Sequence, residues 1–252
     1  MNMPQAPAGN GQHPVALVVI SANNLAASSA FYSSVFGWQL MSMSPELSGA
    51  AAPGGPPIAL RANVPDGFPG LVPFLRVSDV PAALEQVVAM GGHVDRAPWK
   101  MPMMGTMARF ADESGTLYGL TDAMVPGGSP RVPMPFGDNP KPHANTICSL
   151  EMYSAESAGP RFVREAMGWG TVPTMPSFVA FDPGAGIGGV FQSHTPALTA
   201  VAYIYVNDVA ATLAAIEAAS GQRLGDPMSM PGMGTFGYFK DPSGSSMGLI
   251  GP

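Results

Sequence analysis

The sequence predicts an α+β fold in two tandem copies, each assembled from two paired β-α-β-β-β units around a curled mixed sheet. Three observations predict it: an internal repeat, a proline-rich stretch between the copies, and a strand–helix–strand pattern that recurs inside each copy. The stretch 101–120, MPMMGTMARFADESGTLYGL, returns as 230–249, MPGMGTFGYFKDPSGSSMGL, with eleven identities in twenty positions at an offset of 129. Upstream at the same offset, Val77–Leu84 answers Val206–Leu213, and at an offset of 131 Phe31 and Gly37-Trp38 answer Phe162 and Gly168-Trp169. Self-similarity at a fixed spacing is the mark of a duplicated structural unit. Residues 124–142 carry six prolines and no periodicity, so they read as an extended linker, because proline fixes φ and removes a donor. The expected organisation is a flexible N-terminal tail over 1–13, a first domain over 14–123, the linker over 124–142 and a second domain over 143–252.

In chain order, residues 15–20 form a β-rich apolar run and Leu25 to Phe36 a helix behind Asn23-Asn24, which are good N-cap types. Strand-like runs follow near 38–43 and 57–62. The pattern restarts at Leu71–Val77, with Asp79 as the cap of a helix running to about Met90 and Gly91-Gly92 as its stop. Strands at 106–111 and 116–121 flank the turn Asp112-Glu-Ser-Gly115. The second copy repeats the series.

Composition excludes several function classes. Of 252 residues, 46% are hydrophobic and 11% charged, which excludes a charged disordered chain. The net charge of −6 argues against a surface that tracks nucleic-acid phosphates. No apolar run is long enough to span a membrane. The single cysteine, Cys148, permits no internal disulfide and no Cys-rich metal site. The start, MNMPQAPAGNGQHP, has neither the basic nor the apolar region of a signal peptide, so a cytoplasmic protein is expected, as a monomer or homodimer.

The segments Asn23-Asn24-Leu25, Ala30-Phe31-Tyr32, Val35-Phe36-Gly37-Trp38, Val77-Ser-Asp-Val80 and Asp241-Pro-Ser-Gly244 resemble the vicinal oxygen chelate superfamily of glyoxalase I, fosfomycin- and bleomycin-resistance proteins and extradiol dioxygenases. The Pro231-Gly232-Met233-Gly234 loop is similar to that of its tandem, glyoxalase-like subgroup. The resemblance implies sheets that curl around one concave pocket per domain. In metal-using members, it further implies a divalent ion held by His or Gln on each first strand and by Glu on a later strand, acting as a Lewis acid.

Placed on this sequence, the family's first-strand ligand positions fall at Leu17, Val72 and Val201, and its carboxylate positions at Gly119, Gly248 and about Ala59 and Gly189. None offers a side chain that holds a hard or borderline cation. The first strand of the third unit gives Cys148, or Ser149 if Glu156 takes the cap place. Strand alternation favours a buried Cys148 and turns Ser149, Glu151 and Tyr153 toward the cavity. The four histidines, His13, His93, His143 and His194, match none of these positions.

The same alternation predicts a first pocket that includes Phe74 and Arg76, and a second that includes Ser149, Glu151, Tyr153, Tyr203 and Tyr205. Glu151 among tyrosines reads either as a general base or ligand anchor, or as a carboxylate that pairs with hydroxyl neighbours and fixes the domain. The methionine clusters read as adaptable apolar packing at the pocket rims. The expected function is therefore binding, or transformation without metal or other cofactor, of a small apolar or aromatic molecule. The alternatives are a metal-dependent lyase or dioxygenase of the same superfamily, and a non-catalytic module whose pockets are filled.

Overall fold

In a computed structural model, residues 4–51, 54–64, 68–102, 104–123, 129–136, 140–154, 157–193 and 200–252 are described. Glu156 and His194, both weighed above, lie outside them. The first half contains β1 (Val15–Ser21), α1 (Leu25–Phe36), β2 (Met41–Ser44), β3 (Leu47–Ala50), β4 (Ile58–Arg61), β5 (Leu71–Arg76), α2 (Val80–Ala89), β6 (His93–Met101), β7 (Gly105–Ala111) and β8 (Leu117–Thr121). The second contains β9 (Thr146–Tyr153), α3 (Ala158–Met167), β10 (Gly170–Met175), β11 (Phe178–Asp182), β12 (Gly188–Gln192), β13 (Ala200–Tyr205), α4 (Val209–Ala218), β14 (Gln222–Arg223), β15 (Met228–Met230), β16 (Gly234–Lys240) and β17 (Ser246–Gly251).

Each half forms one mixed sheet, in the order β2-β3-β4-β1-β5-β8-β7-β6 and β10-β11-β12-β9-β13-β17-β16-β14, with β15 paired to β16. In both, the first strands of two β-α-β-β-β units lie antiparallel at the centre, and each runs parallel to the last strand of its own unit. A strand in that place is covered on both faces, which is why β1 is a continuous buried run, VALVVIS, rather than an alternating one.

The helix starts follow the cap chemistry. Asn24, Asp79 and Asp208 each accept a hydrogen bond from the backbone N–H three residues on, at 3.0, 3.0 and 2.9 Å. The third unit departs from this pattern: Ser157 makes no side-chain cap bond, and Gly159 N–H donates instead to Ser154 Oγ at 2.7 Å. Two strands, β3 and β6, have no counterpart in the alternation read from the sequence. β6 is an edge strand carrying Pro98 and two register shifts, which hide its period.

Each helix lies mainly against the sheet of its own half, and α1 and α3 also reach across to the other half. Phe31 of α1 meets Phe239 of β16 at 6.1 Å between ring centroids, and Phe162 of α3 meets Phe110 of β7 at 5.1 Å. The repeat is visible in two equivalent bonds: Trp38 Nε1–H donates to the Asn145 carbonyl, and Trp169 Nε1–H to the His13 carbonyl, both at 2.8 Å. The Asp112 and Asp241 turns also correspond. In each, Oδ1 accepts two backbone N–H bonds, from Ser114 and Thr116 or from Ser243 and Ser245. Tyr32 of the first half donates to Asp241 Oδ2 of the second at 3.0 Å. Burial pushes both aspartates above the usual carboxylate range. The two sheets thus share one core, and the seam lined by Val15, Leu75, Tyr118, Leu150, Trp169 and Phe181 has no room for a water molecule. Residues 9–11, within the N-terminal segment, add backbone bonds to Asp182, Gly168 and Pro183 of the second half.

Candidate functional site: two unequal cups

The face of each sheet turned away from the helices is concave. Its floor follows from the register. In the first cup, one row runs Leu17–Phe74–Gly119–Arg109 across β1, β5, β8 and β7. In the second, the equivalent row runs Ser149–Tyr203–Gly248–Tyr238 across β9, β13, β17 and β16. Next to each row, Val19 pairs with Val72 in the first cup and Glu151 with Val201 in the second.

The glycines of these rows lie under aromatic rings. A Cβ built on Gly119 would stand 2.2 Å from Phe74 Cδ1, and one on Gly248 would stand 2.5 Å from Tyr203 Cδ1. Both rings are buried, so each fills the space that a side chain on the neighbouring strand would otherwise occupy. Gly189 is closed by backbone, since a Cβ there would lie 2.0 Å from the Leu150 carbonyl oxygen. The remaining positions at which the family resemblance looks for ligands are Leu17, Ala59, Val72 and Val201, all buried hydrocarbon. Among the described residues, no three His, Cys, Asp or Glu side chains converge on a point. At these positions, the donor set among the described residues does not fit a divalent ion.

In the first cup, Leu17, Val19, Leu47, Ala59, Val72, Phe74 and Met107 form a small apolar cluster, edged by the partly buried Phe68, Trp99, Met101, Met104 and Leu117. Arg109 lies two residues beyond Met107 on the same face of β7. Only 6% of it is exposed. Its Nη2 pairs with Asp95 Oδ2 at 2.8 Å, and its Cζ sits 4.9 Å from the centroid of the Phe68 ring. Its Nε and Nη1 are buried and make no hydrogen bond among the described residues. Arg61 stands two residues beyond Ala59 on β4. Burial, and next the positive charges of Arg96 and Arg109, lower its pKa, against an opposing pull from Glu46. Arg96 stacks on Trp99, 4.0 Å from the ring centroid.

The second cup is built around Glu151, which is buried. Tyr153 donates to its Oε1, and Tyr203 to its Oε2 at 2.7 Å. The Tyr203 hydroxyl lies 2.6 Å from that of Tyr238. Phe236 meets the Tyr203 ring edge-on at 6.0 Å. Burial, and secondarily the Glu151 charge, push the Tyr153 and Tyr203 phenols far above their usual range, and burial also raises Tyr238.

The structure therefore brings Glu151, Tyr153 and Tyr203 into one hydrogen-bonded group, with the buried Ser149 paired to Tyr203 across the strands. Tyr205, at the end of β13, is buried but not part of that group. Phe74 lies on the floor of the first cup, whereas Arg76 ends β5, where its carbonyl oxygen lies 2.9 Å from His13 Nδ1. Cys148 is fully buried, and burial pushes its thiol upward. Sequence reasoning did not find Arg61, Arg109 and Tyr238. The signal was available, because Met107-Ala-Arg109 alternates on β7 and the offset of 129 sets Arg109 against Tyr238.

Residues 13–120 match the Glyoxalase/Bleomycin resistance protein/Dioxygenase superfamily. A curated relative, "Putative glyoxylase CFP32" of Mycobacterium tuberculosis, is 26% identical over 93% of both chains. The Mn(II)-bound glyoxalase of Novosphingobium aromaticivorans superimposes with a TM-score of 0.66 at 15% identity, over 97% of this chain and 83% of that one. The 2,3-dioxygenase LapB of Pseudomonas sp. KL28 does so with a TM-score of 0.64 at 14% identity, over 97% and 93%. At such identities these structures speak for the fold. With its four β-α-β-β-β units in two curled sheets, the chain has the fold of the glyoxalase/bleomycin-resistance/dioxygenase superfamily, whose model its residues 13–120 match.

Proposed function

We propose that this protein is a metal-independent member of its superfamily that holds small, largely aromatic molecules in its cups through side chains alone. One observation carries the reading: in both cups the position at which the family resemblance expects a carboxylate ligand is a glycine roofed by an aromatic ring, Phe74 over Gly119 and Tyr203 over Gly248. The same replacement in both copies supplies a flat apolar floor where metal-using relatives carry a charged ligand set.

In the second cup, Glu151 serves as an anchor rather than a free base, because both of its oxygens already accept phenolic hydrogens. A carboxylate held by two donors orients Tyr203, which in turn orients Tyr238. The half-buried Tyr238 hydroxyl, at the open end of this chain, is the group we assign to a ligand's polar atom. The geometry favours binding or sequestration over proton abstraction.

The test is a thermal-shift and calorimetric titration with 2-naphthol and 4-hydroxybenzaldehyde, whose hydroxyls can donate to Tyr238, in the presence of EDTA. Binding is expected to survive chelation and to weaken about tenfold in Tyr238→Phe, the loss of one good hydrogen bond in a desolvated site. Binding that appears only after a divalent ion is added would overturn the reading.

A further inference from the structure

The two cups are equivalent in register and opposite in charge. In the second, an internal carboxylate, Glu151, is joined through the Tyr203 hydroxyl to Tyr238. In the first, Val19 stands in the place of Glu151, Phe74 in that of Tyr203, and Arg109 in that of Tyr238. The anion and its connecting hydroxyl are gone, and a cation stands at the end of the row. Arg109 is 6% exposed, yet two of its three guanidinium nitrogens have no hydrogen-bond partner among the described residues. A buried donor without an acceptor is costly, and more so when charged. Asp95 occupies only Nη2, and its own side chain is one-third exposed. Arg61 and Arg96 add positive charge nearby: Arg61, which Glu46 also faces, has its pKa lowered first by burial and then by the charges of Arg96 and Arg109. In a chain of net charge −6, this is a local excess of cations facing an apolar floor.

We propose that the first cup recognises the carboxylate of a planar aromatic acid. Arg109 is the principal contact, Arg61 the second cation, and the rings of Phe68 and Trp99 flank the apolar body. Arginine suits this task because its planar donors match carboxylate oxygens, and a desolvated site strengthens each bond. The aromatic body is argued from the rings of this cluster: Phe68 lies against the Arg109 guanidinium, Trp99 against that of Arg96, and Phe74 forms part of the apolar floor. The proposal rests on the reading that the cups hold ligands by side chains, and it names the ligand class for one of them.

Calorimetry on the full chain in EDTA, with 2-naphthoate against its neutral isostere 2-naphthamide, tests it. The expected result is one naphthoate per chain, bound at least tenfold more tightly than the amide. Arg109→Gln should abolish that preference by weakening naphthoate while leaving the amide within about twofold. Arg61→Gln should reduce naphthoate affinity by a smaller factor, and it keeps the test open should the Arg109 variant fail to fold. Equal affinity for the acid and the amide, a preference that survives Arg109→Gln, or no naphthoate binding would each overturn the proposal. Equal binding of the two in EDTA would still leave the metal-independent reading standing, whereas binding that needs a divalent ion would sink that reading first.

Discussion

Replacing Gly119 by alanine probes the floor of the first cup directly. The new methyl carbon would lie 2.2 to 2.3 Å from Cδ1, Cε1 and Cγ of Phe74. Ordinary carbon–carbon contact is about 3.5 to 4 Å, so the ring must move by more than about 1 Å. It has little room to do so, because Phe74 is 2% exposed and packs within the cluster of Leu17, Val19, Val72 and Met107. Overpacking of this kind costs about 1–3 kcal/mol, offset by roughly 0.5–1 kcal/mol gained when a strand glycine acquires a side chain. A net loss of about 1–2 kcal/mol follows. Phe74→Ala alone should lose about 3–5 kcal/mol as a buried aromatic is deleted. In that background Gly119→Ala should turn neutral or mildly stabilising, since its methyl group then enters the space the ring has left. The coupling energy is therefore about 2 kcal/mol, within the range measured for residues in contact. Urea denaturation of the four proteins, followed by far-ultraviolet circular dichroism, reads it out as shifts in midpoint at constant slope. Additive effects, or a neutral Gly119→Ala in the parent, would show that the ring does not occupy that space and would refute the reasoning.

Other expected outcomes follow from the shared core and the buried phenols. Tyr32→Phe removes the hydroxyl that reaches from the first half to Asp241 Oδ2, and should cost about 1–3 kcal/mol in urea because it strips a partner from a buried carboxylate. Five of the six tyrosines, Tyr32, Tyr118, Tyr153, Tyr203 and Tyr238, have phenol pKa values raised chiefly by burial. Absorbance at about 295 nm should show them protonated through the ordinary phenol range near 10, then ionising together as the fold is lost. The sign is fixed by linkage: above pH ~10 the unfolded chain releases phenolic protons that the folded chain keeps, so stability falls as pH rises. Gradual ionisation of all six with the fold intact would contradict the burial. Asp112 and Asp241 act in the same sense at acid pH. Their raised values mean that the folded state holds protons the unfolded chain has released, so their contribution falls as pH rises from about 4 through the folded value. The Asp112→Asn/Asp241→Asn double variant should flatten that part of the pH–stability curve relative to the parent, and an unchanged curve would refute it.

The fold was legible because duplication writes the same signal twice. Asn24, Asp79 and Asp208 start helices as their chemistry dictates, and the alternation on β9 and β13 sets Glu151 beside Tyr153 and Tyr203. What escaped detection has physical causes. β6 is exposed, bears a proline and slips register twice, so no period survives in its sequence. The first cup's cations Arg61, Arg96 and Arg109 come from β4, β6 and β7, outside the central strand pair β1 and β5, whereas Arg76 was expected there from the alternation of the central strand β5. That Arg109 is buried with unmet nitrogens depends on Phe68 and Asp95 arriving from two other segments, which spacing alone does not encode.

The central claim is that ring and backbone occupy the places where metal-using relatives bind an ion. Its most direct test is calorimetric titration of the chelator-stripped full chain with Mn(II), Fe(II), Ni(II) and Zn(II), paired with elemental analysis of the protein as purified. The account predicts less than about one-tenth of an ion per chain and no saturable heat at micromolar ion, since stable sites need several deprotonated ligands in one place. One ion per chain, held against dialysis and released by EDTA with loss of thermal stability, would contradict it.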